Sequence, residues 1–254
     1  MILTVNIGNT NTTLGLYKDK ELVADWRITT DKLKTSDEYG LLLLNLFAHR
    51  RLDPRQVKAI VISSVVPPVI GVWERMCEQY FGIEPMMVGP GIKTGLSIKT
   101  ENPKEVGADR IVNAVAGLGK YGAPVIVIDL GTATTFDVVS RQGEYIGGAI
   151  APGVAISADA LVQRTAQLPR VELVRPRQVI GKNTISSMQA GVMYGAIGQM
   201  TEIVRRIKEE LGSDAFVVAT GGLAPVICPG SCEINKIDPF LTLEGLRIIY
   251  ERNR

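Results

Sequence analysis

One short polar pattern occurs twice in this chain, with the second copy 123 residues after the first. The copies run from Val5 to Thr12 and from Ile128 to Thr135. In each copy an apolar strand leads into a polar residue, a glycine turn, hydroxyl-bearing side chains and a second apolar strand. The offset brings three pairs of residues into correspondence, namely Asn6 with Asp129, Gly8 with Gly131 and Thr12 with Thr135. A repeated hairpin of this kind predicts two related folding units.

Each hairpin tip has the composition of a phosphate site. Glycine lets backbone N–H groups approach anionic oxygens, and the hydroxyls of Thr10, Thr12, Thr132 and Thr134 can donate hydrogen bonds. For either tip alone an ordinary surface hairpin is the alternative, since Gly-Asn is a common turn pair. The repetition favours the phosphate interpretation, in which two related domains bind a polyphosphate between them.

Composition excludes several classes of partner. The 254 residues include 28 basic and 26 acidic side chains, for a net charge of +2. No basic run with interleaved aromatic residues indicates a nucleic-acid partner. No stretch approaches the roughly 18 apolar residues of a membrane span, and the N-terminal residues do not resemble a cleavable leader. We therefore expect a cytoplasmic protein that binds neither nucleic acid nor membrane.

The thiols and the imidazole are few. Cys77, Cys228, Cys232 and His49 do not supply the clustered four ligands of a typical zinc site. An odd number of cysteines without a framework spacing fits a reducing compartment.

The order of predicted elements is βββ-α-β-α-β-α followed by βββ-α-α-β-α. This order predicts an α/β fold of two duplicated ribonuclease-H-like domains with a cleft between them. The expected domains are residues 1–118 and 119–254, and the final helix, 239–252, is placed so that it can pack back on the first domain.

Two helices carry more detailed expectations. Ser36 is predicted to cap the first helix, whose inward face is expected to hold Leu41, Leu44, Ala48 and Leu52. A long helix is predicted at 187–211, and three of its residues are small: Gly191, Gly195 and Gly198. They indicate either a close contact within the fold or a dimer interface, and the sequence does not choose between these.

Carboxylates stand at two positions that suit chemistry. Asp129 ends a strand beside a glycine turn, where it either caps the turn or holds a cation that offsets phosphate charge. At the corresponding position, Asn6 brings no charge and is expected to hold Mg²⁺ more weakly. Asp109 opens a helix beside Arg110, and it is either a stabilising first-turn acid or a general base next to an anion-binding arginine.

Weaker signals come from glycine-rich turns and one threonine. The runs 147–153 and 220–222 lie near strand ends, and Gly221 with Gly222 would let an adenine ring approach the backbone. Thr184 precedes the long helix as either a helix cap or a substrate donor.

Taken in order, six motifs resemble those of the type III pantothenate kinases. They are Asn6-Ile-Gly-Asn-Thr-Asn11, Ser63-Ser-Val-Val-Pro67, Asn102-Pro-Lys-Glu-Val-Gly-Ala-Asp-Arg110, Asp129-Leu-Gly-Thr-Ala-Thr-Thr135, Gly147-Gly-Ala-Ile-Ala-Pro-Gly153 and Thr220-Gly-Gly222. The ordered set is far more specific than any single motif. The resemblance runs from residue 2 to residue 250 or so and places the chain in the superfamily of sugar kinases, heat-shock chaperones and actin.

The resemblance implies ATP-dependent phosphorylation of pantothenate to 4'-phosphopantothenate, the first step of coenzyme A biosynthesis. It implies that Asp109 is the proton acceptor, that Asp129 holds K⁺ or NH₄⁺, and that Mg²⁺ accompanies the nucleotide. It assigns ATP to Asn6, Gly8, Asn9, Thr10, Asn11, Thr12, Thr13, Thr132, Gly221 and Gly222. It assigns pantothenate to Gly107, Ala108, Asp109, Arg110 and Thr184. It also implies a homodimer whose partner subunit completes the substrate pocket.

One residue departs from the family pattern. The first motif of the family begins with aspartate, where this chain has Asn6. Two alternatives therefore stand beside the pantothenate kinase. One is a catalytically impaired regulatory protein that binds nucleotide or pantothenate, and the other is a kinase of another small hydroxylated acceptor.

Overall fold

The computed structural model describes residues 1–231 and 233–254. Cys232, one of the three cysteines, lies outside the described residues. The described chain divides into two compact units. The first unit comprises Met1–Gly95, Asn102–Ala116 and Thr242–Arg254, and the second comprises Leu96–Glu101 and Gly117–Leu241. The sequence-based limits of 1–118 and 119–254 for the folding domains stay a prediction.

The first part of the chain forms one sheet and the two helices that accompany it. They are β1 (Ile2–Ile7), β2 (Asn11–Lys18), β3 (Glu21–Thr29), α1 (Ser36–His49), β4 (Ala59–Ser64), α2 (Pro67–Phe81) and β5 (Met86–Met87). The remaining elements are β6 (Ser97–Ile98), α3 (Ala108–Tyr121), β7 (Val125–Leu130), β8 (Ala133–Val139), β9 (Glu144–Pro152), α4 (Val154–Arg164), α5 (Thr184–Leu211), β10 (Phe216–Thr220), α6 (Ala224–Ile227), β11 (Lys236–Ile237) and α7 (Leu241–Asn253).

The two sheets of the described chain share one topology. The first has the strand order β3-β2-β1-β4-β5, and the second has the order β11-β10-β7-β8-β9-β6. In both, an antiparallel three-stranded meander is extended by parallel strands beside its first strand. Strand β6 is an additional edge strand beside β9. The predicted duplicated ribonuclease-H-like α/β fold is confirmed.

The repeat is in register at its strands but not at its hairpin tips. Strands β7 and β9 begin and end 123 residues after β1 and β3. In the first hairpin Ile7 pairs with Thr12, whereas in the second Leu130 pairs with Thr134. The second tip is therefore one residue shorter, and Thr12 corresponds to Thr134 rather than to Thr135 as the constant offset predicts.

The first core lies between its sheet and helices α1 and α2. Alternate residues of β1 are fully buried there, together with Phe47 and Trp73. The prediction for α1 was wrong in two respects. Thr35 rather than Ser36 is the cap, in a reciprocal hydrogen-bonded box with Glu38. Its buried side chains are Tyr39, Leu43 and Phe47, while Leu41 is 58% exposed.

The second core lies between β7 and helix α5. Ile126, Ile128 and Leu130 of the strand pack with Met193 and Ile197 of the helix. Helix α5 begins three residues earlier than predicted because Asn183 caps it, with its Oδ1 accepting from Ser186 N at 2.8 Å. The cap alternative for Thr184 is therefore wrong.

The final helix, α7, packs within the first unit from Thr242 onward. Thr242 Oγ1 donates to Asn113 Oδ1 of helix α3 at 2.7 Å, and both residues are buried. Gly245 lies directly against the backbone of Val112, where an added Cβ would be 2.2 Å from the carbonyl oxygen. This close helix contact requires glycine at position 245.

Neither a membrane span nor a reactive cysteine is found in the described residues. None of the described helices combines the length and apolarity needed to cross a membrane. Cys77 and Cys228 are buried free thiols, and burial raises the pKa of each to about 12. These two cysteines are therefore poor nucleophiles and act as small apolar core residues.

Candidate active site

In the first unit the candidate site lies where the parallel strands β1 and β4 end. Their register places Asn6 beside Ser63 and Ile7 beside Ser64. Ser63 is fully buried, and its Oγ donates to Asn6 Oδ1 at 2.7 Å. The N–H of Val65 donates to the carbonyl of Ile7 at 3.1 Å. This edge is a rigid base for the first hairpin tip.

The first tip closes by a backbone hydrogen bond from Gly8 N to Asn11 O at 3.0 Å. Asn9 and Thr10 are exposed at its end. Thr12 is fully buried, and its hydroxyl shares a hydrogen bond with the hydroxyl of Thr30 at 2.9 Å. The expected donation from the Thr12 hydroxyl to phosphate is therefore not supported, because that side chain faces the protein interior.

Asp109 lies at the start of helix α3, close to the end of β4. Its Oδ1 accepts a hydrogen bond from Arg110 N at 2.8 Å. A Cβ on Gly107 would lie 2.6 Å from that carboxylate oxygen and 3.8 Å from Val65 Cγ1. Glycine at position 107 thus leaves room for the carboxylate and brings this segment against the residue that follows β4.

Burial controls the acidity of Asp109. Loss of solvent raises the pKa of its carboxyl above the ordinary value, and the neighbouring Arg110 offsets only part of that effect. A carboxylate with a raised pKa accepts a proton more readily than an exposed one. The general-base interpretation of Asp109 gains this physical support, although the helix-start alternative is also satisfied by the bond from Arg110 N.

In the second unit Asp129 occupies the position that corresponds to Asn6. It pairs with Thr135 of β8 and with Thr220 of β10. A Cβ on Gly221 would lie only 2.5 Å from Asp129 Oδ1, and one on Gly131 would lie 3.5 Å away. The carboxylate lies against the backbone of Gly221, and carboxylate oxygens are ligands that hard cations prefer.

Sequence reasoning gave too little weight to Gly153. A Cβ at this residue would lie 2.0 Å from the carbonyl oxygen of Thr132 and 2.9 Å from that of Gly131. Gly153 also precedes α4 and, having no side chain, provides no side-chain cap for the first turn of that helix. The second hairpin tip therefore contacts the start of a helix whose free N–H groups favour anions. The signal was present as the last glycine of the run 147–153.

The predicted residues fall into separate groups. In the first unit, Asn6 lies beside Ser63 at the end of β4, and Gly107 lies near Val65, which follows β4. The second unit gathers Asp129, Thr132 and Gly221 around its own tip. Thr184 is exposed at the first position of α5. Thr134 is 2% exposed, so its hydroxyl, like that of Thr12, is buried.

Possible metal ligands are sparse in the described part of the chain. Among residues 1–231 and 233–254, no three His, Cys, Asp or Glu side chains gather as possible ligands. Mg²⁺ in kinases is commonly held by substrate phosphates and only one or two carboxylates. The residues present fit a cation at Asp129, whereas Asn6 supplies no anionic ligand.

Duplicated ribonuclease-H-like units with glycine hairpin tips define a class of phosphate-binding α/β proteins. Within that class, the sequence profile of the type III pantothenate kinases matches residues 2–206, and the chain belongs to this family. A type III pantothenate kinase from Geobacter sulfurreducens is 56% identical over 254 residues, which cover 100% of both chains.

Solved structures with low sequence identity share the fold. A protein described as a conserved Baf family transcriptional activator, from Campylobacter jejuni, has a TM-score of 0.63 at 17% identity, covering 99% of this chain and 98% of that one. The ethanolamine utilization protein EutJ from Carboxydothermus hydrogenoformans has a TM-score of 0.53 at 17% identity, covering 97% and 89%. These similarities concern the fold alone.

Proposed function

We propose that this protein transfers the γ-phosphoryl group of ATP to the primary hydroxyl of pantothenate, forming 4'-phosphopantothenate in the first step of coenzyme A biosynthesis. The observation that carries the proposal is Asp109, a carboxylate with a raised pKa at the strand end that bears the first hairpin tip. Membership of the type III pantothenate kinase family supplies the identity of the acceptor.

Asp109 accepts the hydroxyl proton of pantothenate as the hydroxyl oxygen bonds to the γ-phosphorus, and the bond from that phosphorus to the bridging oxygen breaks to release ADP. Its hydrogen bond from Arg110 N keeps one carboxylate oxygen fixed, so the orientation of the other is defined. Gly107, Ala108 and Arg110 bind pantothenate beside this base. The exposed hydroxyl of Thr184 is a further hydrogen-bond donor to pantothenate. Because phosphoryl transfer depends mainly on positioning and charge stabilisation, the base is one contributor among several.

Each hairpin tip is a phosphate-binding element of its own unit. In the first, backbone N–H groups of the tip and the polar side chains of Asn9, Thr10, Asn11 and Thr13 contact phosphate oxygens. Thr12 contributes through its backbone position. In the second, Thr132 acts together with the uncapped start of α4, which the contact of Gly153 holds against the tip. Gly221 and Gly222 face adenosine.

Two cations are part of the proposal. Mg²⁺ bound to the nucleotide would neutralise developing charge on the phosphates, and Asn6 lies on that side of the site without a charge of its own. Asp129 is the residue that would hold K⁺ or NH₄⁺, since its carboxylate lies against the backbone of Gly131 and Gly221.

A homodimer through helices α4 and α5 is also proposed. A groove of about 340 Å³ between these helices includes Gly191 and Gly195 in its lining. Neither glycine has another group within 4 Å of the position of a Cβ. Apolar side chains of the two helices are exposed, namely Ile156, Leu161 and Ile185, and Leu161 lines the groove. An open seam of small residues with an apolar margin fits a second copy of helix α5. The cytoplasmic location expected from the sequence stays a prediction.

Turnover with different acceptors tests the proposed function. ADP release is measured with ATP, Mg²⁺ and K⁺, first with pantothenate and then with other small hydroxylated acceptors. The expected result is release that depends on pantothenate, requires Mg²⁺ and falls without K⁺. Equal release with an unrelated acceptor would contradict the assignment of the substrate.

Asn6 is the specific observation that favours a second candidate, a regulatory protein that binds ATP or pantothenate without turnover. Binding of both compounds with no ADP release by the wild-type protein, and strong release by Asn6→Asp, is the expected result for this candidate. Comparable release by both proteins is the expected result for a competent kinase.

A further inference from the structure

The side chains of Asn6 and Ser63 form a hydrogen-bonded pair at the end of neighbouring strands. The parallel register of β1 and β4 places the two residues side by side, and Ser63 Oγ donates to Asn6 Oδ1 at 2.7 Å. Ser63 is fully buried and Asn6 is partly exposed. In residues 1–231 and 233–254, Asn6 Oδ1 is the single acceptor found for that hydroxyl. The pair therefore joins a buried donor to an accessible amide.

This pairing fixes which way the Asn6 amide faces. The oxygen and nitrogen of an amide are distinguished by their hydrogen-bonding partners. If the amide were flipped, its Nδ2 would donate to Ser63 and the buried hydroxyl hydrogen would have no acceptor. An unsatisfied buried donor is costly, so Oδ1 stays on Ser63 and Nδ2 faces outward.

The polar atom left available is a donor. Among the residues that the structure describes, Asn6 Nδ2 has no protein hydrogen-bond acceptor. It is also not one of the buried side-chain atoms without a partner, so it is accessible to a ligand. An amide nitrogen carries two hydrogens and does not ligate a cation. A carboxylate at this position would instead present a second oxygen, which can bind a metal ion but repels phosphate.

We propose that Asn6 binds a phosphate oxygen of the nucleotide directly through Nδ2, and that Ser63 is the residue that positions this donor. The ligand is a nucleoside triphosphate, and the hydrogen bond from Asn6 Nδ2 to its phosphate does not require a metal ion. The inference rests on the proposed function in one respect, because it takes the first hairpin tip as a nucleotide-phosphate site. It differs from the weak Mg²⁺ ligand expected from the sequence, which Asn6 does not provide.

Calorimetric affinity for ATP tests the proposal without turnover. The dissociation constant is measured with Mg²⁺ and again with EDTA, keeping K⁺ constant, for the wild type and for Asn6→Asp. Without Mg²⁺ the variant is expected to bind ATP about tenfold more weakly than the wild type, because a carboxylate then faces the phosphates. With Mg²⁺ it is expected to bind as well as the wild type or better.

Ser63→Ala tests the positioning role, and Ser64→Ala is the matched control. Among the residues that the structure describes, the hydroxyl of Ser64 forms hydrogen bonds only with the backbone of Val66. Ser63→Ala frees the amide to flip, so metal-free ATP should bind roughly threefold to tenfold more weakly, in line with the loss of one oriented hydrogen bond. Ser64→Ala should leave this affinity unchanged.

The same substitution in the Asn6→Asp background separates positioning from general damage. The two oxygens of a carboxylate are equivalent, so loss of Ser63 no longer changes which atom faces the phosphates. The double variant should therefore show the metal dependence of Asn6→Asp, and melting temperatures report any loss of folding. If Ser63→Ala proves unstable, the comparison of the wild type with Asn6→Asp still decides.

Two results would overturn the inference. One is metal-free ATP affinity that is the same in the wild type and Asn6→Asp, and the other is an identical effect of Ser63→Ala and Ser64→Ala. The proposed function fails separately, if ATP binds as expected but pantothenate is not phosphorylated. Absence of ATP binding in every protein would overturn both.

Discussion

The carboxylate of Asp129 lies against the backbone of Gly221, in space that a side chain at position 221 would fill. A Cβ on Gly221 would lie 2.5 Å from Asp129 Oδ1, and the φ angle of this glycine is +92°. Both the contact and the backbone conformation therefore require glycine. The adenosine-binding and cation-binding predictions of the sequence meet at this pair.

Gly221→Ala is expected to lower the affinity for ATP as well as the free energy of unfolding. The added methyl group strains the backbone and displaces the Asp129 carboxylate. Gly122→Ala is a matched control, since Gly122 has a φ of +80° but no atoms within 4 Å of a Cβ. Both variants should lose about 1–3 kcal/mol of unfolding free energy from positive φ, and Gly221→Ala should lose more because its Cβ would also lie 2.7 Å from the backbone of Leu130. Only Gly221→Ala should lose ATP affinity and its dependence on K⁺, as measured by calorimetry.

Asp109→Asn is expected to lower kcat by about 100-fold or more, the usual contribution of a positioned base. In the wild type, kcat/KM for pantothenate should fall as the pH drops through the raised pKa of Asp109, which lies above the ordinary value. A rate profile that is flat down to pH 4, or near-normal turnover of the variant, would remove Asp109 from this role.

The same substitution should leave the folded protein more stable at neutral pH. Because the pKa of Asp109 is raised on folding, its favourable contribution is complete below the unfolded pKa of about 3.9 and is lost as the pH rises through the folded value. At pH 7 the wild type carries the cost of the buried charge, and asparagine does not. Thermal unfolding from pH 4 to pH 8 should show the advantage of the variant increasing with pH.

Gly153→Ala is expected to disturb the second hairpin tip. Its Cβ would lie 2.0 Å from the carbonyl oxygen of Thr132, and backbone cannot yield as a flexible side chain can. Gly89→Ala serves as the control, because nothing lies within 4 Å of a Cβ there. ATP affinity should fall for the first variant only. Equal affinities would separate Gly153 from the phosphate site.

Much of this fold was predictable because the duplication is visible in the sequence patterns of the strands. Strands β1, β3, β7 and β9 follow the repeat with a constant offset. Strands β1 and β7 are almost continuously buried, whereas β3 and β9 alternate between exposed and less exposed residues. The shorter second hairpin was not predictable from the offset, because one residue fewer at the tip leaves the flanking strands in register. Strands β6 and β11 contain two residues each, which is too short for a periodic signal.

The inward face of α1 was mispredicted for a different physical reason. The helix is apolar on several sides, so periodicity alone does not select a face, and packing against Trp73 decides for Tyr39. Within the site, the sequence indicated which residues carry chemistry but not which atoms remain available. The burial of the Thr12 hydroxyl and the bond from Ser63 to Asn6 depend on neighbouring strands. Such contacts are set by register, which the sequence of one strand does not specify.

Gly195→Glu is expected to prevent formation of the proposed homodimer. Gly195 is an exposed glycine of α5 that faces the groove, and a charged side chain there would oppose a second copy. Gly71→Glu in α2 is the control, since Gly71 is also exposed with no atoms near a Cβ. Analytical ultracentrifugation should show half the mass for the first variant and an unchanged mass for the second. A wild-type protein that is already monomeric would refute the dimer.

The most direct measurement is detection of the product by mass spectrometry. Purified wild-type protein is incubated with ATP, pantothenate, Mg²⁺ and K⁺, and an Asp109→Asn sample is treated in the same way. We expect 4'-phosphopantothenate in the first sample, formed in proportion to ADP, and almost none in the second. No phosphorylated pantothenate from the wild-type protein, under conditions in which it binds both substrates, would contradict the account.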